Sequence, residues 1–142
     1  MPVDICAPAA ANRSRFLRVR ANWEIIVSDT LPMFRQITDA FAVAGQLAPE
    51  HMAEVAAAGF KSVINNRPDF EGGPDQPRSA DIEVAARAAG LQYFYLPVNG
   101  ANIQPQDIAA FGELLKSAPG PVLAFCRTGT RSSKLYLGAT EG

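Results

Sequence analysis

The sequence predicts an α/β domain, a parallel central sheet flanked by helices. Three observations carry this. From Asp39 onward, short apolar runs alternate with helix-like stretches. A glycine or proline stands at most junctions between them. The last run, Val122-Leu-Ala-Phe, is apolar throughout, as a strand covered on both faces must be. In sheets of this kind, ligands gather beyond the carboxyl ends of the strands.

The elements follow in order. Phe41-Ala-Val-Ala reads as a short strand ending at Gly45. Pro49 suits the first turn of a helix whose Met52, Val55 and Ala56 share one face. Gly59 ends that helix as a left-handed cap. Ser62-Val-Ile-Asn is the next strand. Asn66-Arg-Pro-Asp, with Gly72, Gly73, Pro74 and Pro77 close behind, makes a long loop. Ser79 is expected to cap a helix carrying Ile82, Ala85, Ala86 and Ala89, which Gly90 stops. Gln92 to Val98 is an aromatic-rich strand, and its Tyr93 and Tyr95 read as sheet packing. Pro105 opens a third helix with Ile108, Phe111, Leu114 and Leu115 on its apolar side, and Pro119-Gly120 ends it. Beyond Phe125 the final helix reaches Gly138 quickly, and little more than two turns are expected of it. A helix that short is marginal alone. The turn before it is therefore expected to be loosely supported or covered by a neighbouring chain.

A chain of 142 residues suits one domain. Residues 1–22 read as an N-terminal extension, with four arginines between Arg13 and Arg20, and residues 23–142 as the domain. A net charge of −1 gives no global pull toward nucleic acid or anionic membrane. No apolar run approaches the ~20 residues of a membrane helix. The opening Met1-Pro-Val-Asp does not read as a secretory signal. Two cysteines, Cys6 and Cys126, make no disulfide framework, which points to a reducing, cytoplasmic setting. The single histidine, His51, is expected to be exposed, and it argues against common zinc sites. No metal or cofactor is expected, and Cys6 is not expected to act as a resolving thiol.

The chemistry concentrates in Cys126-Arg-Thr-Gly-Thr-Arg131-Ser132. A cysteine at the carboxyl end of a buried strand is followed by a glycine-containing turn and a helix start. The amides of Arg127, Thr128, Gly129, Thr130 and Ser132 can turn inward to form an anion cradle. The helix N-terminus adds partial positive charge, and Arg131 offers a planar fork matched to an oxyanion. These features are expected to favour a Cys126 thiolate without a histidine base. Ser132 is expected to cap the helix or to bond the thiolate. Asn66, Arg67 and Asp69 are candidate rim residues, with Asn65 helping to orient their loop. Each also suits ordinary turn chemistry.

Phe41-Ala-Val-Ala-Gly-Gln-Leu-Ala-Pro-Glu, Val63-Ile-Asn-Asn-Arg-Pro-Asp, Leu96-Pro-Val and Cys126-Arg-Thr-Gly-Thr-Arg-Ser resemble one bacterial family in order and spacing. It is the phosphatase-like domain of the beta-lactamase hydrolase-like proteins, and the resemblance spans Thr30 to Ser133. It implies the dual-specificity phosphatase fold. In some bacteria the domain is fused to a persulfide dioxygenase-like domain, which implies a role in sulfide handling.

Two features separate possible reactions. Cysteine phosphatases carry Cys-x5-Arg, whereas Arg131 follows Cys126 in a Cys-x4-Arg spacing similar to rhodanese sulfurtransferases. The phosphatases also place an acidic aspartate after the strand matching Gln92–Val98. Here Asn99-Gly-Ala-Asn follows, and Asp107 is expected in the first turn of the next helix. The leading expectation is therefore a sulfurtransferase that forms a persulfide on Cys126 from thiosulfate or a persulfide donor. A thiol such as glutathione would accept the sulfur. The alternatives are a cysteine phosphatase acting on phosphoesters and a non-catalytic persulfide- or oxyanion-binding module.

Overall fold

A computed structural model describes residues 34–141. The proposed extension at residues 1–22 and Cys6 lie outside the described residues. The strands are β1 Arg35–Thr38, β2 Phe41–Ala44, β3 Ser62–Asn65, β4 Gln92–Tyr95 and β5 Val122–Phe125. A 3-10 turn, Pro49–His51, runs into α1 Met52–Ala57, followed by α2 Ser79–Ala88, α3 Pro105–Ser117 and α4 Thr130–Glu141.

The sheet order is β1-β2-β5-β3-β4. The inner strand β5 lies parallel to β2 and β3, and β4 lies parallel to β3. Every residue of β2, β3 and β5 is buried, because helices cover both faces. Alternation along β5 feeds two cores. Leu123 and Phe125 pack with Val63, Met52, Val55 and Ile82 on the side of α1 and α2. Val122 and Ala124 pack with Phe41, Val43, Phe111 and Leu135 on the side of α3 and α4. The expected α/β architecture is thus present, with its site-bearing strand at the centre.

Five details differ from expectation. First, an antiparallel edge strand, β1, pairs with β2. Its Arg-Gln-Ile-Thr is mostly exposed and carries no apolar run to announce it. Second, Ser79 does not cap α2. It is the first helical residue, and its N–H donates to Asp69 Oδ1 at 2.8 Å. Third, β4 ends at Tyr95, although Leu96 and Val98 still donate to Asn65 and Asn66 carbonyls at 2.9 and 3.1 Å. Proline at position 97 has no N–H for a ladder.

Fourth, α4 extends over 12 residues, more than three turns. Tertiary packing supplies what local propensity lacks. Leu135 is fully buried, and Tyr136 stacks on Phe41 with centroids 4.0 Å apart. Gly138 admits Ile108 so closely that a Cβ there would meet its side chain at 3.0 Å. His51 also departs from expectation: it is half-buried, and its Nδ1 accepts from the Ala48 N–H at 2.9 Å.

Candidate active site

Strand β5 delivers Cys126 to the carboxyl edge of the sheet, where the thiol is 1% exposed. The chain then turns back on itself. Gly129 has φ +92, and its N–H donates to Cys126 Sγ at 3.1 Å. Only glycine adopts that φ without strain, so this amide reaches the sulfur because residue 129 is glycine. The Gly129 carbonyl accepts from Ser133 N–H at 3.0 Å, starting α4 directly over the turn. The free amides of the first helical turn and their partial positive charge lie at the mouth of the same turn.

Arg131 is held on three sides. Its Nη1 donates to the carbonyls of Asn66 at 3.2 Å and Val98 at 3.1 Å. Its Nη2 donates to Glu71 Oε1 at 3.0 Å. Its Nε is buried and has no hydrogen-bond partner among the described residues. Gly100 lies against that nitrogen, where a Cβ would stand at 2.6 Å. Arg67 shares the carboxylate: Nε donates to Glu71 Oε1 at 2.9 Å, and Nη1 donates to Gln46 at 3.0 Å. Burial alone would push the Glu71 carboxyl up. Hydrogen bonds from Arg131 and Arg67 outweigh it and hold the group below the usual carboxylate range. Glu71 is therefore ionised at neutral pH.

These groups line an open cleft of about 690 Å³. Among the described residues, Arg67, Arg127, Arg131 and Lys134 line it, with Glu71 as the one carboxylate. Cys126, Thr128 and Thr130 also line it, together with Asn99, Gly100 and Ala101. Among the described residues, no aromatic side chain lines it.

The expected site residues therefore divide. Cys126, Arg127, Thr128, Thr130, Arg131 and Arg67 meet at the cleft. Gly129 supports it from below through its bond to the sulfur. Ser132 neither caps α4 nor touches the thiol. It is buried, and its Oγ donates to Asn66 Oδ1 at 2.8 Å. Asn66 is buried rather than at the rim, and its Nδ2 donates to the Leu96 carbonyl at 3.0 Å. Asp69 does not line the cleft. It accepts from the first amide of α2, which is a turn and capping role. Asn65 does orient the loop, accepting from Arg67 N–H at 2.9 Å. Asp107 accepts from Gln104 N–H at 2.8 Å in the first turn of α3, as expected. Glu71, Gly100 and Lys134 were not anticipated. The Arg67–Glu71 spacing of four residues was the one signal available for the first of them.

A family model for the phosphatase-like domain of beta-lactamase hydrolase-like protein matches residues 33–140. The chain belongs to this family. A beta-lactamase hydrolase-like protein of Agrobacterium fabrum is 42% identical over 102 residues, which is 72% of this chain and 23% of the relative. The chain thus spans under a quarter of the curated relatives it matches. A crystal structure of a candidate phosphatase from Neisseria meningitidis is 36% identical, with a TM-score of 0.65, covering 75% of this chain and 72% of that one. The catalytic core of the PP-IP phosphatase Siw14 of S. cerevisiae, in complex with citrate, has a TM-score of 0.58 at 18% identity, over 74% of this chain and 63% of that one. At that identity the likeness is one of fold, and the fold is that of the cysteine phosphatases. Among the described residues, no helix of this phosphatase-like domain is long and apolar enough to cross a membrane.

Proposed function

We propose that this domain is a cysteine-dependent hydrolase of the phosphatase type, with Cys126 as nucleophile. The observation that carries the reading is the arrangement at the end of β5. A sulfur that accepts an amide N–H lies under a helix N-terminus, in a cleft that Arg131 lines, on a cysteine phosphatase fold. The Cys126 thiolate attacks phosphorus. A sulfur–phosphorus bond forms, and the bond to the leaving oxygen breaks, its electron pair departing with the leaving group. Water then attacks the thiophosphate, releasing phosphate, returning the thiolate and giving a proton to solvent. Amides of the turn and Arg131 stabilise the charge on the phosphoryl oxygens.

Among the described residues, the cleft holds no carboxyl group free to protonate the leaving oxygen. Glu71 is ionised and shared by two arginines, and Asp69 caps α2. Proton donation is worth roughly 10² to 10⁴ in rate, so the favoured esters are those whose leaving group departs as a stable anion.

The same two features favour a second reading, sulfur transfer. The Cys-x4-Arg spacing is short for a phosphoryl group, and sulfite leaves thiosulfate as a stable anion without an acid. The thiolate would attack the outer sulfur, forming a persulfide and expelling sulfite, and a thiol such as glutathione would take the sulfur. Side-by-side assays separate the readings. Phosphate release from p-nitrophenyl phosphate supports the first. Thiocyanate from thiosulfate and cyanide, with no phosphate release, supports the second. Both activities should vanish in Cys126→Ser. Arg131→Ala should lower turnover roughly 10² to 10³-fold, as loss of an oxyanion donor does.

A further inference from the structure

Arg131 lines the anion cleft yet offers no open edge to an anion. Its Nη1 is taken by two backbone carbonyls, its Nη2 by Glu71, and its Nε is buried against Gly100. A tetrahedral oxyanion binds a guanidinium best through two parallel N–H groups. In arginine the side-on pair is Nε and Nη2. Here one member of that pair is unpartnered and the other holds a carboxylate. A buried donor without a partner is costly, and an oxyanion on that edge would satisfy it.

We infer that Glu71 is a resident competitor for the oxyanion fork of Arg131, and that binding of the reacting anion displaces its carboxylate from Nη2. The inference rests on the proposal that Cys126 and Arg131 form an anion site. Positioning is the competing role for Glu71, and the geometry speaks against it. The two carbonyls on Nη1 hold Arg131 without Glu71, and Gln46 holds Arg67 without it. Glu71 also sits in a loop suited to movement. Its side chain is 29% exposed, it follows Phe70 at φ +68, a backbone conformation costly for a non-glycine residue, and it precedes Gly72 and Gly73. Such a competitor keeps affinity for simple anions low and speeds release of the anionic product.

The test is protection of Cys126 from iodoacetamide by sulfate, read on the Cys126 peptide by mass spectrometry at constant ionic strength. It compares the parent chain with Glu71→Gln, Glu71→Ala and Arg131→Ala. Glu71→Gln preserves shape, and Glu71→Ala removes the side-chain acceptor. Both should bind sulfate more tightly than the parent, by roughly tenfold, the size of one charge-assisted hydrogen bond. Arg131→Ala should lose protection. Weaker or unchanged sulfate binding in both Glu71 variants, with the parent protected, overturns the competitor role and leaves the anion site standing. Absence of protection in the parent and in both Glu71 variants overturns the anion site itself.

Discussion

A methyl group added at Gly100 would stand 2.6 Å from Arg131 Nε and 3.0 Å from its guanidinium carbon. Real Cβ atoms do not approach so closely, so Gly100→Ala must push the guanidinium aside. The residue has no positive φ to lose, so the substitution acts on Arg131 rather than on backbone strain. Turnover should fall roughly ten- to a hundredfold, as it does when a reacting group is misplaced by up to an ångström. The melting temperature should stay close to the parent's, because the loop is exposed. Tyr93 makes a different prediction. Burial pushes its phenol up to about 12, against the hydrogen bonds it shares with Ser79 and Asn65. The folded chain therefore prefers the neutral phenol more strongly than the unfolded chain does. That preference is fully present below the unfolded value near 10 and is lost as pH rises toward 12, on the order of 2 kcal/mol in all. Thermal melts from pH 9 to 11 should show a downward slope that is shallower in Tyr93→Phe.

At the scale of elements, α2 begins on a side chain ten residues earlier, where Asp69 Oδ1 accepts from Ser79 N–H. Asp69→Ala should cost about 1 kcal/mol of unfolding free energy, the usual worth of an N-terminal cap. It should leave turnover near the parent's, whereas losing a general acid would cost roughly 10² to 10⁴. Denaturant unfolding and steady-state kinetics on one variant separate the two roles. Helix α4 depends on Leu135, four residues beyond Arg131 and fully buried among Phe41, Phe111 and Ala124. Leu135→Ala should cost about 3 kcal/mol, the lost burial plus the cavity left behind. Strands β2 and β5 were legible because burial on both faces favours unbroken apolar runs, and Phe41–Ala44 and Val122–Phe125 carry them. β1 was not, because an exposed edge strand needs no such pattern. The length of α4 was not either, because Gly138 reads as a stop locally and works as a close contact with Ile108.

At the scale of the whole molecule, the site is assembled by strand order. Placing β5 between β2 and β3 brings Cys126 beside the loop after β3, and so beside Arg67 and Glu71, some sixty residues earlier in the chain. The Cys126-to-Ser132 segment announced itself because its chemistry is contiguous in sequence. Glu71 did not, because it lies among glycines and prolines whose local pattern says only loop. Its meaning comes from two arginines that the fold brings to it. The proposed enzyme stands or falls on the sulfur at the centre of that assembly. The most direct measurement is acid-quenched mass spectrometry after brief incubation with p-nitrophenyl phosphate or with thiosulfate, beside Cys126→Ser. The account predicts a phosphoryl group or one sulfur atom on the Cys126 peptide of the parent, absent from the variant together with turnover. Turnover that survives in Cys126→Ser, or an adduct on another residue, would contradict it.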